Sequence, residues 1–461
     1  MSTTADRRLV RELTDRLTAR LVEAIQAQGA TTSTATATRR LGLRDDRPRL
    51  ELLMGQWMAE EVARLNQSRL QRGEPLLDAV TDRELRRLAY AETLGTGPLE
   101  QFMTDESVEE IDVNSHRSTW VSYDDGRKVS VGQLWDSVEE LAAFQSRLTL
   151  SMGVSEARLD EQSPMVTLQA PDGSRVVMVL GGPGRNGVST EPRIAIRRFT
   201  IQRVGLDGLA ARGLFPEWVV PQLEALVQAG MTILVSGGPG AGKTTLLKEL
   251  LGAVPHDERI VTIEKGLLEL RLEDDPRHPD APALFTRQAN TDGHGAVTAR
   301  ELVELTRRLN PDRVVVGELV EDEALEMLDV ASMCKHGSMA TIHAHTVDSV
   351  LSRLAFYVAK SNTKLPEYAV WSLISETIDF VVHIDLVRNR RGDPPQRRVT
   401  SILEIGGRGA DGGVRSTEVW SMDDRGRLAQ RAPLEQRHVR RLRLAGISDA
   451  LFVPNDALVA T

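Results

Sequence analysis

A single cysteine, Cys334, in 461 residues leaves no partner for an intrachain disulfide and no thiols for a cysteine zinc cage. It is expected to be a small buried apolar residue. No run of 18 apolar residues occurs, so no membrane-spanning helix is expected. The opening MSTTADRRLVRELTDRLTARLVEAIQ is charged throughout and lacks the apolar core of a signal peptide, which predicts a soluble, unexported, cytoplasmic chain. HExxH and paired CxxC patterns are missing, and His343 and His345 lie two apart at an expected strand end, so a metal hydrolase is a poor reading. The formal net charge of −9 argues against a surface that grips nucleic acid or anionic lipid all round. Nucleic acid is therefore not an expected partner, local basic patches aside. Neither an internal repeat nor an extended low-complexity segment is present.

What the chain does contain is a buried-strand pattern, Met231-Thr-Ile-Leu-Val-Ser236, running into Gly237-Gly238-Pro-Gly240-Ala241-Gly242-Lys243-Thr244-Thr245. The glycines let the backbone turn its N–H groups toward phosphates, and the following TTLLKELLGAV opens a helix whose N-terminus favours anions. In such a loop Lys243 reaches the β- and γ-phosphates and the Thr244 hydroxyl holds Mg²⁺. The apolar run before the motif and the helix formers after it set it apart from a chance glycine-rich turn.

The length predicts two large domains with a helical extension. Leu9, Leu13, Leu17, Leu21 and Ile25 recur at helical spacing, and ATTSTATATRR reads as a polar linker, so residues 1–45 are expected to be a tethered helix and linker. Residues 46–95 read as a helical region, with Thr81 and Glu84 as a capping box. Strand and turn signals from 96 to 205, with DDG and PDG at turns and the helix-like VEELAAFQSRLTLSMG among them, predict a smaller α+β domain. Residues 206–425 alternate strands and helices, the signature of a mostly parallel α/β sheet, with SILEIGG as its last strand. LVRNRRGDPPQRRVTS, with Arg388, Arg390, Arg391, Arg397 and Arg398, reads as a solvated hairpin loop. Residues 426–461 read as a tail with too little pattern for a functional claim.

In a parallel sheet, catalytic groups sit at the carboxyl ends of strands. Glu264 ends RIVTIE, Glu318 ends RVVVGE and His343 lies in TIHA. A carboxylate at Glu318 could polarise an attacking water or bind Mg²⁺ through water. Taken alone, Glu318 is an ordinary strand-end acid and His343 a structural histidine. Their sharing a domain with the phosphate loop is what raises them to site candidates.

The order P-loop, TIE, TRQANTDGHGAVTARELV, LNPDRVVVGE and GSMATIHAHT resembles the ATPases of the type II and type IV secretion superfamily, with the branch that powers tight-adherence (Flp) pili as the nearest match. Upstream, ETLGTGPLEQFMTDESVEEIDVNSHRSTWVSYDDGRK and LDEQSPMVTLQAPDGSRVVMVL with IAIRRF resemble that branch's N-terminal domain, so the likeness spans roughly 85–405. The resemblance implies a RecA-like motor domain, a hexameric ring of two-domain subunits, ATP with Mg²⁺, and a place at the inner face of the cytoplasmic membrane against a platform protein. By the same analogy Lys243 and Thr244 form the Walker A site, Glu318 is the Walker B glutamate, Glu264 stands in the Asp box and His343 in the His box. Arg287, Arg300, Arg175 and Arg197 match arginines that neutralise charge on the transferred phosphoryl group.

Three positions depart from the family pattern. Lys265 replaces the Asp of TIED and Glu269 comes five residues after Glu264; Val320 stands where GEVRG has arginine; and MCKHGS puts Lys335 and His336 where TGHDGS is usual. Either the two lysines supply charge that has moved, or turnover is slow. Three functions follow: a motor for pilus assembly or secretion, a conjugation-type motor, and a nucleotide-binding ring with little hydrolysis. A small-molecule kinase would leave the upstream domain unexplained.

Overall fold

The computed structural model describes residues 9–10, 12–20, 47–93, 95–151, 159–170, 172–182, 187–198, 203–266, 268–287, 289, 294–321, 323–361, 365–388, 395–409 and 412–452. The chain divides into two units between Thr200 and Ile201.

In the first unit, helical residues 12–20 bury Leu13 and Leu17 against Met54, Met58, Val62 and Leu65 of α1 (Arg47–Gln71) and Leu85 and Ala89 of α2 (Ala79–Thr93). The opening segment is therefore part of a packed helical core rather than a tethered helix, because its leucine stripe needs an apolar partner to leave water. Leu21, Ile25 and the linker lie outside the described residues. Buried Glu61 accepts from Arg20 at 3.2 Å and Arg64 at 3.0 Å. The cap of α2 also differs from expectation. Asp78 accepts from the Val80 and Thr81 N–H groups at 2.9 Å and from the Thr81 hydroxyl at 2.8 Å, while Glu84 pairs with Arg87 at 2.7 Å. A carboxylate caps a helix as well as a threonine and adds a favourable charge, so the helix begins one turn earlier.

Strands β1 (Val108–Ser115), β2 (Ser118–Tyr123), β3 (Lys128–Gly132), β4 (Met165–Gln169), β5 (Arg175–Val179) and β6 (Arg193–Arg197) form an antiparallel sheet ordered β3-β2-β1-β6-β5-β4. Alternate residues Ile111, Val113, Val121, Val176, Met178, Ile194 and Ile196 share a core with Leu141, Phe144 and Leu148 of α3 (Val138–Ser151). This is the expected α+β domain.

The second unit is built on nine strands: β7 (Ile233–Gly237), β8 (Ile260–Glu264), β9 (Ala283–Phe285), β10 (Arg313–Leu319), β11 (Met339–His343), β12 (Phe380–Val387), β13 (Gln396–Arg408), β14 (Val414–Met422) and β15 (Leu428–Gln430). Their order is β15-β14-β13-β12-β7-β11-β10-β8-β9. The run from β12 to β9 is parallel, and β13 to β15 are added antiparallel. Helices cover both faces, which is why the central strands β7 and β8 are buried along their whole length. Ile233, Val235, Val315, Met339 and Val382 pack with α4 (Gly205–Ala211), α5 (Val220–Gln228) and α6 (Lys243–Leu251). Leu234, Val314, Val316, Ala340 and Val381 pack with α7 (Ala299–Thr306), α8 (Glu323–Met333), α9 (Ser349–Lys360) and α10 (Glu367–Thr377).

SILEIGG is not the last strand, and residues 428–452 are not a detached tail. β14 and β15 extend the sheet, and α11 (Gln436–Leu444) buries His438, Val439 and Leu442 in the same core as Leu428 and Trp420. Arg415, Ser416, Thr417 and Glu418 make four consecutive polar residues in β14, so no apolar run announces it.

Candidate functional site

Parallel register brings the candidate residues to one edge of the sheet. His343 pairs with Gly237, Leu319 with Ile342, and Val316 with Ile263. The glycine-rich loop, His343, Glu318 and Glu264 thus leave the carboxyl ends of four adjacent strands, β7, β11, β10 and β8. β7 turns into the loop at Gly237, where a Cβ would lie 2.4 Å from the Ile384 carbonyl oxygen of β12. Only glycine admits that approach.

Lys243, Ala241 and Gly242 follow, and α6 starts at Lys243 with its first turn carrying Thr244 and Thr245. The Lys243 ammonium is buried. It donates to the Gly238 carbonyl at 3.1 Å and approaches His343 Nδ1 at 3.0 Å, and His343 Nε2 lies 2.7 Å from Glu318 Oε1. An ammonium can only donate, so Nδ1 is the acceptor and Nε2 carries the proton given to Glu318. Burial first, and then the Lys243 charge, push the His343 pKa down, while Glu318 pulls it up. A neutral imidazole results, linking cation to carboxylate. The Thr341 hydroxyl donates to the Gly317 carbonyl at 2.6 Å and fastens β11 to β10 just before Glu318.

Glu264 is 4% exposed. Its Oε2 accepts from the Glu269 and Leu270 N–H groups at 2.7 and 3.0 Å, and its Oε1 is buried without a hydrogen bond. Burial pushes its pKa up to about 7, against those two N–H groups. The extra residue between Glu264 and Glu269 therefore lets the backbone, not a second carboxylate, meet this acid.

Neither displaced lysine brings charge to the loop. Lys265 pairs at 3.0 Å with buried Glu323, which accepts the Val320 N–H at 2.9 Å ahead of α8. Lys335 pairs at 2.7 Å with Asp312, at the amino end of β10 and the opposite edge of the sheet. The Arg300 guanidinium sits 2.7 Å from Glu326, and Arg287 donates to the Gly295 carbonyl at 2.7 Å. Arg175 and Arg197 occupy the first unit, directly opposite one another on β5 and β6. Three or more His, Cys, Asp or Glu side chains do not gather into a metal-holding group among the described residues.

Two features escaped sequence reasoning. Arg397 of β13 donates from Nε to the Gly240 carbonyl at 3.0 Å, although its run of arginines reads as a solvated loop. His383 of β12 lies 2.8 Å from the Ser236 hydroxyl and 3.4 Å from Asp385. Ser236 is wholly buried within the sheet, so this trio is a brace beneath the loop and not a nucleophile with its base. Alternation along β12 was the available signal, because it sets His383 beside Ser236 in register.

Residues 92–441 match the family described as type II/IV secretion system protein. A Mycobacterium tuberculosis protein named for conjugal transfer is 32% identical over 345 residues, covering 73% of this chain and 91% of the relative. The type IV secretion system protein PtlH of Bordetella pertussis is 29% identical over 329 residues, covering 66% and 92%. Among solved structures, the VirB11 ATPase of the Brucella suis type IV secretion system in complex with sulphate matches at 25% identity and a TM-score of 0.35, over 66% of this chain and 94% of that one. With three quarters of its length matching, from the last helix of the helical region to α11, the chain belongs to the type II/IV secretion system protein family.

Proposed function

We propose that this chain is an ATPase that converts ATP hydrolysis into mechanical work for a secretion, conjugation or pilus-assembly machine. The observation that supports it is the unbroken contact from Lys243 through His343 to Glu318 at the carboxyl edge of the sheet. A phosphate entering the loop would replace the Gly238 carbonyl and His343 as partners of Lys243. His343 Nδ1, freed from Lys243, would then have to gain a proton to meet a phosphate oxygen, with Nε2 still donating to Glu318. One Glu318 oxygen holds His343, and the other would orient the attacking water, so that the terminal P–O bond breaks to give ADP and phosphate.

A hard cation of the Mg²⁺ type suits the Thr244 hydroxyl with phosphate oxygens and water, Glu318 contributing through water; bound there, it neutralises phosphate charge. Glu264, with its orphaned oxygen, would act beside Glu318. Arg287 and Arg300 would have to leave the Gly295 carbonyl and Glu326 to reach a phosphate, and Arg175 and Arg197 complete the proposed set by family analogy. The working form we propose is a ring of copies, a hexamer by family analogy, docked on a membrane-embedded platform. No helix among the described residues is long and apolar enough to cross a membrane. The relatives named for conjugal transfer and type IV secretion favour a transfer or secretion machine over the tight-adherence pilus branch.

The test is ATP turnover by the purified chain, with and without chelator. If the wild type turns over no more ATP than Lys243→Ala and Glu318→Gln, the motor reading fails and a nucleotide-binding ring subunit replaces it. Sedimentation with and without nucleotide checks the ring.

A further inference from the structure

Resting on that nucleotide reading, we propose that Arg397 is a positioning residue of the phosphate-binding loop. β13 brings it there. Arg397 is paired with Leu386 on β12, and β12 runs beside β7 as far as Ile384 and Gly237. The arginine stem lies along the loop, its Cδ being 3.5 Å from where a Cβ of Gly242 would stand, and its Nε–H donates to the Gly240 carbonyl at 3.0 Å.

Gly240 and Gly242 have φ of +70° and +94°, a conformation in which glycine peptides are free to turn over. A trans peptide points its C=O and the next N–H in opposite directions. By holding the Gly240 carbonyl, Arg397 therefore aims the Ala241 N–H away from itself, toward the Gly238 carbonyl, which it meets at 3.3 Å. That same carbonyl receives the Lys243 ammonium at 3.1 Å. Arg397 thus sets the direction of a donor that shares its target with the motif lysine. It does so from a strand outside the motif, so the antiparallel half of the sheet has a hold on the loop. Its bond to main chain also makes its effect independent of which side chain occupies position 240.

The test uses the full chain with Arg397→Leu, which keeps an apolar stem, and Arg397→Lys, which keeps the charge but loses the Nε–H. The readouts are ADP affinity, thermal midpoint, and amide hydrogen exchange over residues 237–243 without added nucleotide. Expected for Arg397→Leu are an unchanged midpoint without nucleotide, faster exchange in the loop, and ADP affinity weakened by about tenfold or more, as for loss of a charged hydrogen bond. Arg397→Lys recovers only part of the affinity. Unchanged exchange and affinity overturn the proposal, and weakened affinity with unchanged exchange does so too, since that outcome marks a charge contact without positioning. If Arg397→Leu does not fold, Arg397→Gln is read by the same criteria. If wild-type chain binds no ADP, the nucleotide reading falls, and loop exchange alone decides for or against Arg397.

Discussion

At the amino edge of the nine-stranded sheet, Arg313 is fully buried and makes bonds to Glu258 at 2.5 and 3.2 Å, the Gly337 carbonyl at 3.1 Å and the Val227 carbonyl at 2.8 Å. Nearby, Asp379 accepts from the Thr232 N–H at 2.8 Å and Arg441 at 2.7 Å, while His438 bridges it, at 3.1 Å, to Glu404, at 2.5 Å. At the carboxyl edge, Glu264 keeps a buried oxygen without a partner, and Glu318 and His343 stay partly open to solvent. Buried charge is satisfied where the sheet is anchored and left with capacity where chemistry is proposed. The same strands thus separate stability from the proposed function along their length, since an unsatisfied buried carboxylate oxygen is costly to keep.

Four substitutions test this contrast. The largest effect is expected for Arg313→Met, which strands Glu258 in the core and should cost about 3–5 kcal/mol of stability. Urea midpoints measure it, and adding Glu258→Leu should restore most of the loss; a single-variant loss below about 1 kcal/mol would sink the anchoring role. Next, Glu318→Gln should lower ATP turnover at least about 100-fold, while its stability stays within about 0.5 kcal/mol of wild type. Equal damage to stability would make the two edges alike.

Glu264→Gln should stabilise the chain at pH 8 by on the order of 2 kcal/mol. The sign follows from an acid raised from 4.5 to about 7: wild-type stability falls as pH rises through that interval and stays reduced above it. The variant's advantage should therefore vanish as pH drops to 4.5, and a gain independent of pH would contradict the assignment. The smallest effect is for His438→Asn. Asp379 and Glu404 raise the His438 pKa against its burial, so its contribution is full below its ordinary 6.5 and is lost as pH rises through the raised value. His438 and Arg441 hold the Asp379 carboxyl below its ordinary 3.8 despite burial, so its contribution is lost only in acid, as pH falls through the lowered value. Wild-type melting temperature should decline on the alkaline side and the variant's should not.

The carboxyl edge was the more legible of the two. Continuous apolar strands such as RVVVGE declare both their burial and the polar residue that ends them, and parallel pairing then gathers Lys243, His343 and Glu318. The amino edge was silent, because Asp379, Glu404 and His438 lie far apart in sequence and no local pattern marks their meeting. Lys265 and Lys335 illustrate a different limit: their positions were evident, but only the fold shows that Glu323 and Asp312 absorb them. Arg397 was hidden by its neighbours, since a cluster of arginines looks the same whether solvated or laid across a loop.

At the proposed nucleotide site, the Gly238 carbonyl would give nucleotide arrival an unusual thermodynamic form. With Lys243 and the Ala241 N–H already committed to it, an incoming phosphate exchanges one oxygen for another instead of filling an idle cradle. Such an intramolecular competitor is never diluted away. It subtracts equally from the affinity for ATP and for ADP, and so favours quick release of product as much as it opposes tight capture of fuel.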